Sequence, residues 1–313
     1  MNNSIENLYH RSLTLLVREA SQIHQNHFPN AEIQASSLLS IKTGGCPENC
    51  TYCPQSAHYK TGVTKTKLLE IEDVLANATA AKNAGASRFC MGAAWREIKD
   101  GPEFDAVLEM VQEVSKLDLE VCCTLGMLTS KQAVQLKNAG LHFYNHNIDT
   151  SPEFYDKIIQ TRTFQQRMET IQSVRNAGIN VCTGGILGLG ESHEDRISFI
   201  KQLINMEPQP ESITINVLVP ISGTPLANSQ SVDPFDLIRV ISVLRIKAPK
   251  SMIRLSAGRA SLNHETQFLC FLAGANSVFL GEKLLTSPNP EISEDVELLL
   301  KSGLKLTPIE NHA

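Results

Sequence analysis

The segment KNAGLHFYN, residues 137–145, contains the junction that decides the fold. Its glycine follows a helical pattern and precedes a short apolar segment. The same junction recurs as KNAG at 82–85, as RNAG at 175–178 and, in shorter form, as LAG at 272–274. A glycine after the last helical turn supplies the left-handed backbone that ends a helix, and a basic residue there faces the negative end of the helix dipole. The repeat therefore predicts helices that each lead through a tight turn into a strand.

Eight strands are predicted when the chain is followed outward from these junctions, at 37–43, 87–92, 119–125, 141–145, 179–183, 213–219, 252–256 and 276–280. Helical patterns lie between them, at 71–84, 103–116, 130–138, 163–177, 194–206, 234–247 and 260–273. Several begin at residues that cap helices well: Thr129, Ser192 and Asp233. Strands that alternate with helices form parallel sheets, so eight such units predict an α/β fold, a (β/α)8 TIM-type barrel. An open doubly wound sheet is the alternative.

The domain organisation follows from this pattern. We expect a single domain over residues 1–313, with the barrel core at about 37–285. An N-terminal helical extension is predicted at 1–30, and a C-terminal helix with a short tail at 289–313. No linker or low-complexity stretch separates a second unit.

Composition excludes several classes of protein. Hydrophobic residues make up 42% and charged residues 19%, which is ordinary for a folded chain. The net charge of −5 gives no basic stripe for nucleic acid. No apolar run approaches the roughly 18 residues that span a bilayer, so we expect no membrane segment and a cytoplasmic protein. In such a chain eight cysteines favour metal or redox chemistry over disulfides.

The densest chemical signal is CPENCTYC at 46–53, just after the first predicted strand. It places three thiols in one loop, at Cys46, Cys50 and Cys53. Structural zinc normally takes four ligands, and the nearest candidate for a fourth is His58. Three thiolates instead favour a four-iron cluster with one open iron, because such clusters are held by cysteine thiolates. Structural zinc and inert thiols are the alternatives.

A second set of residues is dispersed over four predicted strands: Cys90, Cys122, Cys182 and Arg254. In a barrel the carboxyl ends of the strands face one mouth, so these residues can converge. Strand alternation lets only one of Cys122 and Cys123 face the interior. The alternative is that each cysteine is a small buried apolar residue and that the arginine clamps an anion or forms a salt bridge.

The cysteine loop and the following PQS at 54–56 resemble the biotin synthases of the radical S-adenosylmethionine (SAM) superfamily, over about residues 39–290. The resemblance implies a 4Fe-4S cluster on Cys46, Cys50 and Cys53 whose open iron binds SAM. It implies that SAM is cleaved to a 5′-deoxyadenosyl radical and that sulfur is inserted into dethiobiotin, the last step of biotin biosynthesis. It also implies a 2Fe-2S cluster on Cys90, Cys122, Cys182 and Arg254. The motif C-x-T-L-G selects Cys122, which leaves Cys123 and Cys270 as structural cysteines.

The same resemblance assigns ligand contacts. It places SAM against Ala93, Ala94, Trp95, Asn147, Asp149 and Ile186, and dethiobiotin against Asn147 and Asn216. The glycine-rich run at 183–191 never gives G-x-G-x-x-G, so it does not predict a dinucleotide site. The alternatives are an Asx-rich turn at 145–149, a flexible turn at 183–191 and a rim position for Trp95. We expect His142 and His146 to be structural.

Partners are implied by the resemblance as well: an electron donor of the flavodoxin or ferredoxin type, and a second copy in a homodimer. Related radical SAM barrels of the hydrogenase-maturation or methylornithine-forming type are the nearest alternative, and the full set of three further cysteines with Arg254 argues against them. A non-catalytic iron-sulfur or zinc protein is the alternative from another class.

Overall fold

The computed structural model describes residues 4–307. Eight parallel strands lie in chain order around a barrel: β1 Glu32–Lys42, β2 Arg88–Ala93, β3 Glu120–Thr124, β4 Phe143–Asn145, β5 Asn180–Leu187, β6 Ser212–Val217, β7 Met252–Leu255 and β8 Ser277–Leu280. The last strand, β8, pairs in parallel with β1 over four residues, which closes the sheet. The predicted TIM-type barrel is therefore confirmed, and the open-sheet alternative is wrong.

Helices pack around the outside of this barrel. They are α1 Ile5–Tyr9, α2 Leu13–His27, α3 Ile71–Asn83, α4 Pro102–Ser115, α5 Ser130–Asn138, α6 Pro152–Ile158, α7 Phe164–Asn176, α8 His193–Ile204, α9 Pro234–Lys247, α10 His264–Leu272 and α11 Ile292–Ser302, with a 3-10 turn at Arg259–Ser261. Every helix predicted between strands is present. Gly140 has a φ of 100°, as the predicted left-handed helix end requires. The extra helix α6 begins at a side-chain cap from Ser151 and is too short to show a periodic pattern.

The two ends of the chain differ from the prediction. The N-terminal extension is two helices, because the chain breaks after α1 and the guanidinium of Arg239 donates to the carbonyls of Tyr9 and Arg11, at 2.6 and 2.7 Å. At the other end α11 is confirmed. The expected loose tail instead forms a short strand, β11 Lys305–Leu306, in parallel with the start of β1. The rest of the predicted tail, residues 308–313, lies outside the described residues. The single-domain division stays a prediction.

Alternation along the strands decides which side chains enter the barrel. Cys90 lies opposite Cys122 in the register of β2 and β3, and both point into the interior. Their neighbours Met91 and Cys123 lie outside, in the apolar layer between barrel and helices. The close approach of β5 and β6 requires Gly184, since a Cβ there would lie 1.9 Å from the Thr214 carbonyl oxygen.

A short hairpin that the sequence did not predict follows β8. Its strands are β9 Lys283–Leu284 and β10 Ser287–Pro288, which pair antiparallel. Within residues 4–307, no helix is long and apolar enough to cross a membrane.

Candidate functional site

A cavity of about 250 Å³ opens at the carboxyl ends of the strands. This is the end at which TIM barrels carry their active sites. The predicted site residues that line it are Cys53, Cys90, Cys122, Asn147, Asp149, Ile186, Asn216 and Arg254. The cavity therefore brings together residues from the cysteine loop and from six of the strands or the turns that follow them.

Local hydrogen bonds shape the cysteine loop. The amide of Cys46 donates to Gln55 O at 2.9 Å, and the amide of Cys53 donates to Cys50 O at 3.0 Å. The side chain of Asn49 anchors the loop to the barrel, because its Oδ1 accepts from the amides of Gln160 and Thr161, at 2.9 and 3.2 Å. The loop is thus held largely by backbone atoms and leaves its thiols free to ligate.

Burial keeps the loop thiols protonated when no metal is bound. It raises the pKa of Cys53 to about 11 and raises the pKa of Cys46 and Cys50 as well. The guanidinium of Arg162 lowers the pKa of Cys46 and Cys50 and partly opposes this effect. Ligation would therefore release protons, as it does at thiolate metal sites generally.

The donor set of this loop fits an iron-sulfur cluster in its chemistry, because three thiols supply the soft ligands that such clusters use. In the described part of the chain, no group of three or more His, Cys, Asp or Glu side chains is arranged around a single metal ion. Each thiolate of a four-iron cluster binds a different iron, so a cluster requires more widely spaced sulfur atoms than one ion does.

The three interior cysteines lie in one buried cluster with Phe143, Phe279 and Leu284. Cys182 is not on the cavity wall itself, but its Sγ lies 3.2 Å from Thr214 Oγ1 and 3.9 Å from a guanidinium nitrogen of Arg254. A hydrogen bond from Cys122, with help from Arg254 and Arg88, lowers the pKa of Cys90 to about 7 against the effect of burial. The hydrogen bond with Cys90, together with burial, raises the pKa of Cys122 in turn, so this pair of thiols favours one negative charge over two.

Within residues 4–307, Arg254 has no carboxylate among its hydrogen-bond partners. Its Nε donates to Ser277 Oγ at 3.0 Å and its Nη2 donates to Ser36 Oγ at 2.8 Å. The remaining nitrogen, Nη1, faces Cys182. Two serines thus hold the guanidinium at the floor of the cavity, and the salt-bridge alternative for this residue is wrong.

A second arginine, Arg88, enters the same interior and was missed from the sequence. Its side chain is 1% exposed, its Nη2 lies 2.8 Å from Glu120 Oε2, and its guanidinium stacks 3.5 Å from the centre of the Phe143 ring. Burial disfavours the charge, but Glu120 and the interior thiols raise the pKa of Arg88 overall. Its Nη1 is buried and has no hydrogen-bond partner in the described part of the chain. Strand alternation could have found it, because Arg88 stands two residues before Cys90 and so shares its face.

Asp149 is the most constrained polar residue at the cavity wall. Its carboxylate pairs with the guanidinium of Arg167 and accepts from Tyr52 OH at 2.8 Å. Arg167 also donates to Asn147 O and to Tyr155 OH, each at 2.6 Å. Arg167 and Tyr52 were not predicted. They fix the carboxylate beside the cysteine loop.

The two predicted asparagines differ in how their side chains are used. The Oδ1 of Asn147 is buried and accepts no hydrogen bond from any of the residues that the structure describes. Buried polar atoms are normally hydrogen-bonded, so this oxygen can accept from a ligand. The amide of Asn216 donates to Gly185 O at 3.0 Å and accepts from the amide of Ala257 at 3.1 Å. Asn147 therefore offers a free acceptor to a ligand, whereas Asn216 is bonded to backbone on both sides.

The remaining predicted residues lie near the cavity without lining it. Ala94 donates its amide to Lys42 O at 2.9 Å, and the amine of Lys42 lies 5.0 Å from the centre of the Trp95 ring, at the rim. The structure does not bring the side chains of Ala93, Ala94 and Trp95 to the cavity surface.

The two histidines of this region are both close to strands. His142 Nδ1 accepts from the amide of Val121 at 3.1 Å, as expected of a structural histidine. The buried Nε2 of His146 has no hydrogen-bond partner among residues 4–307. Burial lowers the pKa of His146 well below its usual value.

The unpredicted hairpin forms the outer wall of the cavity. Leu284, Leu285, Thr286 and Ser287 all face into it. Leu285 packs on the barrel where Gly92 leaves space, since a Cβ on that glycine would lie 2.8 Å from Leu285 Cδ2. The hairpin thereby narrows the mouth and limits the entry of water.

Comparison with known families gives two matches along the chain. The profile described as Radical SAM superfamily matches residues 40–203, and the one described as Biotin and Thiamin Synthesis associated domain matches residues 214–305. Together they cover the barrel from the end of β1 to the final short strand.

Curated relatives match almost end to end. The biotin synthase of Gloeobacter violaceus is 55% identical over 97% of this chain and 95% of the relative. The biotin synthase of Methylobacterium nodulans is 56% identical over 98% of this chain and 92% of the relative. That of Myxococcus xanthus is 54% identical over 98% and 88%.

Solved structures share the fold at low identity. A methylornithine synthase superposes with a TM-score of 0.80 and 20% identity, covering 99% of this chain and 94% of that one. A FeFe-hydrogenase maturase from Carboxydothermus hydrogenoformans gives 0.79 and 17%, covering 95% and 73%. These two likenesses concern the fold alone.

Proposed function

The chain belongs to the biotin synthase family of the radical SAM superfamily, and from that premise we propose a role for each part of its site. Membership makes the protein a radical SAM sulfurtransferase that inserts sulfur into dethiobiotin to form biotin. It also implies a 4Fe-4S cluster and SAM. The assignments to individual residues, the second cluster and the protein partners are our proposals.

Cys46, Cys50 and Cys53 would hold the 4Fe-4S cluster. When bound there, the cluster and SAM supply a 5′-deoxyadenosyl radical, which removes hydrogen atoms from carbon centres that have no acidic proton. The protein's task is to bind, orient and exclude water. The hydrogen bonds of Asn49 and Gln55 support this role, since they fix the loop without using a thiol.

SAM would lie along the wall formed by Asp149, Asn147 and Ile186. Asp149 can accept from ribose hydroxyls, and Arg167 and Tyr52 hold its carboxylate in place for that purpose. The unpartnered Oδ1 of Asn147 can accept from the amino groups of a ligand. The backbone at Ala93, Ala94 and Trp95 would meet the methionine part of SAM.

Cys90, Cys122, Cys182 and Arg254 would hold a 2Fe-2S cluster that donates the sulfur. The observation that carries this proposal is that Cys53, Cys90 and Cys122 line one cavity, so a substrate carbon can lie between the two sites. The serine partners of Arg254 support a ligand role, because they hold the guanidinium toward Cys182 without neutralising it.

Dethiobiotin would lie between these sites, against Asn147 and Asn216, with the hairpin at 283–288 over it. Leu284 and Leu285 exclude water, which protects a reactive carbon radical from side reactions. We also propose an electron donor of the flavodoxin or ferredoxin type and a homodimer, both of which follow from family membership.

Anaerobic reconstitution with iron and sulfide, followed by SAM, dithionite and dethiobiotin, tests the function. We expect mass spectrometry to detect both 5′-deoxyadenosine and biotin. SAM cleavage without biotin would favour a related radical SAM reaction. One zinc per chain, with no iron bound, would contradict the proposal.

A further inference from the structure

The chain carries a local excess of positive charge beside the cysteine loop. Residues 55–69, here called the lysine segment, contain Lys60, Lys65 and Lys67 and no Asp or Glu, although the net charge of the chain is −5. All three lysines are exposed. None is among the ion-paired lysines of residues 4–307, which are Lys42, Lys82, Lys116, Lys131, Lys201, Lys301 and Lys305.

Hydrogen bonds hold the lysine segment against the cysteine loop. The amide of Ala57 donates to Cys46 O at 2.7 Å, and Tyr59 OH donates to Asn49 O at 2.6 Å. Further along, the amide of Thr66 donates to Thr43 O at 2.9 Å. The carbon stem of Lys65 crosses Gly45, where a Cβ would lie 2.9 Å from Lys65 Cδ. These contacts hold the lysine segment, and with it the three lysines, beside the cysteine loop.

The protein layer over the loop is thin on this side. Gly45, Pro47 and Ala57 are exposed and carry short side chains or none. The first two flank Cys46, which is only 9% exposed, and the third bonds to it. Electron transfer slows steeply with distance, and a donor that covers these three exposed residues would lie close to Cys46.

Nearby acidic groups leave the face positive. Glu48 is buried and pairs with Arg96 at 3.3 Å, so it points away from solvent. Glu70, Glu72 and Asp73 begin only where the lysine segment ends, at the start of α3. Within residues 46–69 the exposed formal charges are therefore those of the three lysines. Arg96, which is 35% exposed, and its exposed neighbour Glu97 add one charge of each sign.

We propose that the lysine segment is the docking surface for a small acidic electron-transfer protein of the flavodoxin type. In this step the reduced donor loses one electron, and the cluster proposed on Cys46, Cys50 and Cys53 gains it. The docking proposal therefore rests on the proposed function, which assigns a cluster to these cysteines. Redox partners form small, transient interfaces in which complementary charge speeds the encounter. The three exposed lysines supply the charge for such an interface, and the small exposed residues beside Cys46 supply a small contact area.

The test compares two triple variants of the reconstituted protein. K60Q/K65Q/K67Q removes the docking charges. K137Q/K247Q/K250Q removes the same charge at the opposite end of the barrel, where helices α5 and α9 end. The probe is a purified bacterial flavodoxin, whose Kd is measured by calorimetry in low salt. We expect the first variant to weaken binding roughly tenfold and the control to leave it unchanged. The difference should vanish at about 1 M salt, where exposed charges are screened.

Carbodiimide cross-linking gives a second readout, because it joins lysine amines directly to carboxylates. We expect cross-links to flavodoxin at Lys60, Lys65 or Lys67. Equal Kd values for both variants, or cross-links confined to other lysines, would overturn the docking proposal. Cleavage of SAM driven by dithionite needs no docking and should be equal in all three proteins. If the wild-type protein did not cleave SAM with dithionite, that result would contradict the proposed function but would not change the conclusion from the binding measurements.

Discussion

The cysteine loop and the barrel interior each present three thiols, but they are built in opposite ways. The loop thiols lie within eight consecutive residues and are positioned by hydrogen bonds to near neighbours, such as Cys46 to Gln55. The interior thiols come from β2, β3 and β5 and meet only because the barrel closes. A site made by one segment depends on local backbone, whereas a site made by several strands depends on the whole fold. A substitution that disrupts one of these two sites should therefore leave the other largely intact.

The largest expected effect is that of Cys46→Ala. We expect it to abolish the formation of 5′-deoxyadenosine, because only two of the three proposed ligands of the 4Fe-4S cluster would remain. Mass spectrometry of the reaction measures this. Cys270→Ala, at a buried cysteine in α10 outside both thiol sets, is the matched control and should retain cleavage.

Cys182→Ala should separate the two sites. We expect it to retain some SAM cleavage and to yield no biotin, because it removes a proposed ligand of the second cluster alone. Both products are measured in the same reaction. Equal loss of both products in the Cys46 and Cys182 variants, with folding intact by circular dichroism, would contradict separate roles.

Gly184→Ala tests whether the interior site depends on the barrel. The new Cβ would lie 1.9 Å from Thr214 O, so β5 and β6 must move apart around Cys182. We expect a loss of about 3 kcal/mol or more in the free energy of unfolding. The control is Gly190→Ala, in the same glycine-rich run at 183–191. Its Cβ meets nothing nearer than Phe154 at 3.8 Å, and its φ of 97° should cost about 1 kcal/mol. Thermal unfolding distinguishes them, and equal costs would contradict the steric argument.

Arg88→Gln probes the charge beneath the interior thiols. It leaves Glu120 without its charged partner and with only the hydrogen bond from Gln34 Nε2. We expect a cost of about 1–3 kcal/mol, limited because the Glu120 side chain is 31% exposed. We also expect iron and sulfide to be lost from the interior site more readily than from the loop. Arg88→Lys keeps the charge and should retain more iron. Equal iron loss in both variants would mean that shape, not charge, matters there.

His24 in α2, which belongs to neither thiol set, should have the smallest effect on the two sites, because it acts on stability alone. Burial lowers the pKa of His24 to about 4, below its ordinary 6.5. A lowered histidine pKa means that the stabilisation is complete above pH 6.5 and is lost as the pH falls toward 4. The loss amounts to at most about 3 kcal/mol, and solvent screening reduces it. Denaturant titrations from pH 7 to 4 measure it, and His24→Gln should flatten the pH dependence.

The barrel and most of the residues considered at the site could be predicted from the sequence, because they leave a local signal in it. Glycines such as Gly140 mark helix ends by their backbone conformation, and the loop thiols are marked by spacing. Residues whose role depends on distant partners gave no such signal. Arg167 contacts Asp149 although a helix and a turn separate them in the chain. The hairpin at 283–288 is too short to show a repeating pattern of apolar residues. Arg88 lay within reach of strand alternation, but a single charged residue in an apolar strand does not reveal what it faces.

The closure of the sheet has a consequence for biosynthesis. β1 is translated well before its partners β8 and β11. Until they arrive, the strands that carry the interior thiols belong to an open sheet, whereas the cysteine loop already has all its own residues. The enclosed thiol cluster therefore forms only after β8 has been translated, and the metal proposed to bind there can be delivered only after that point.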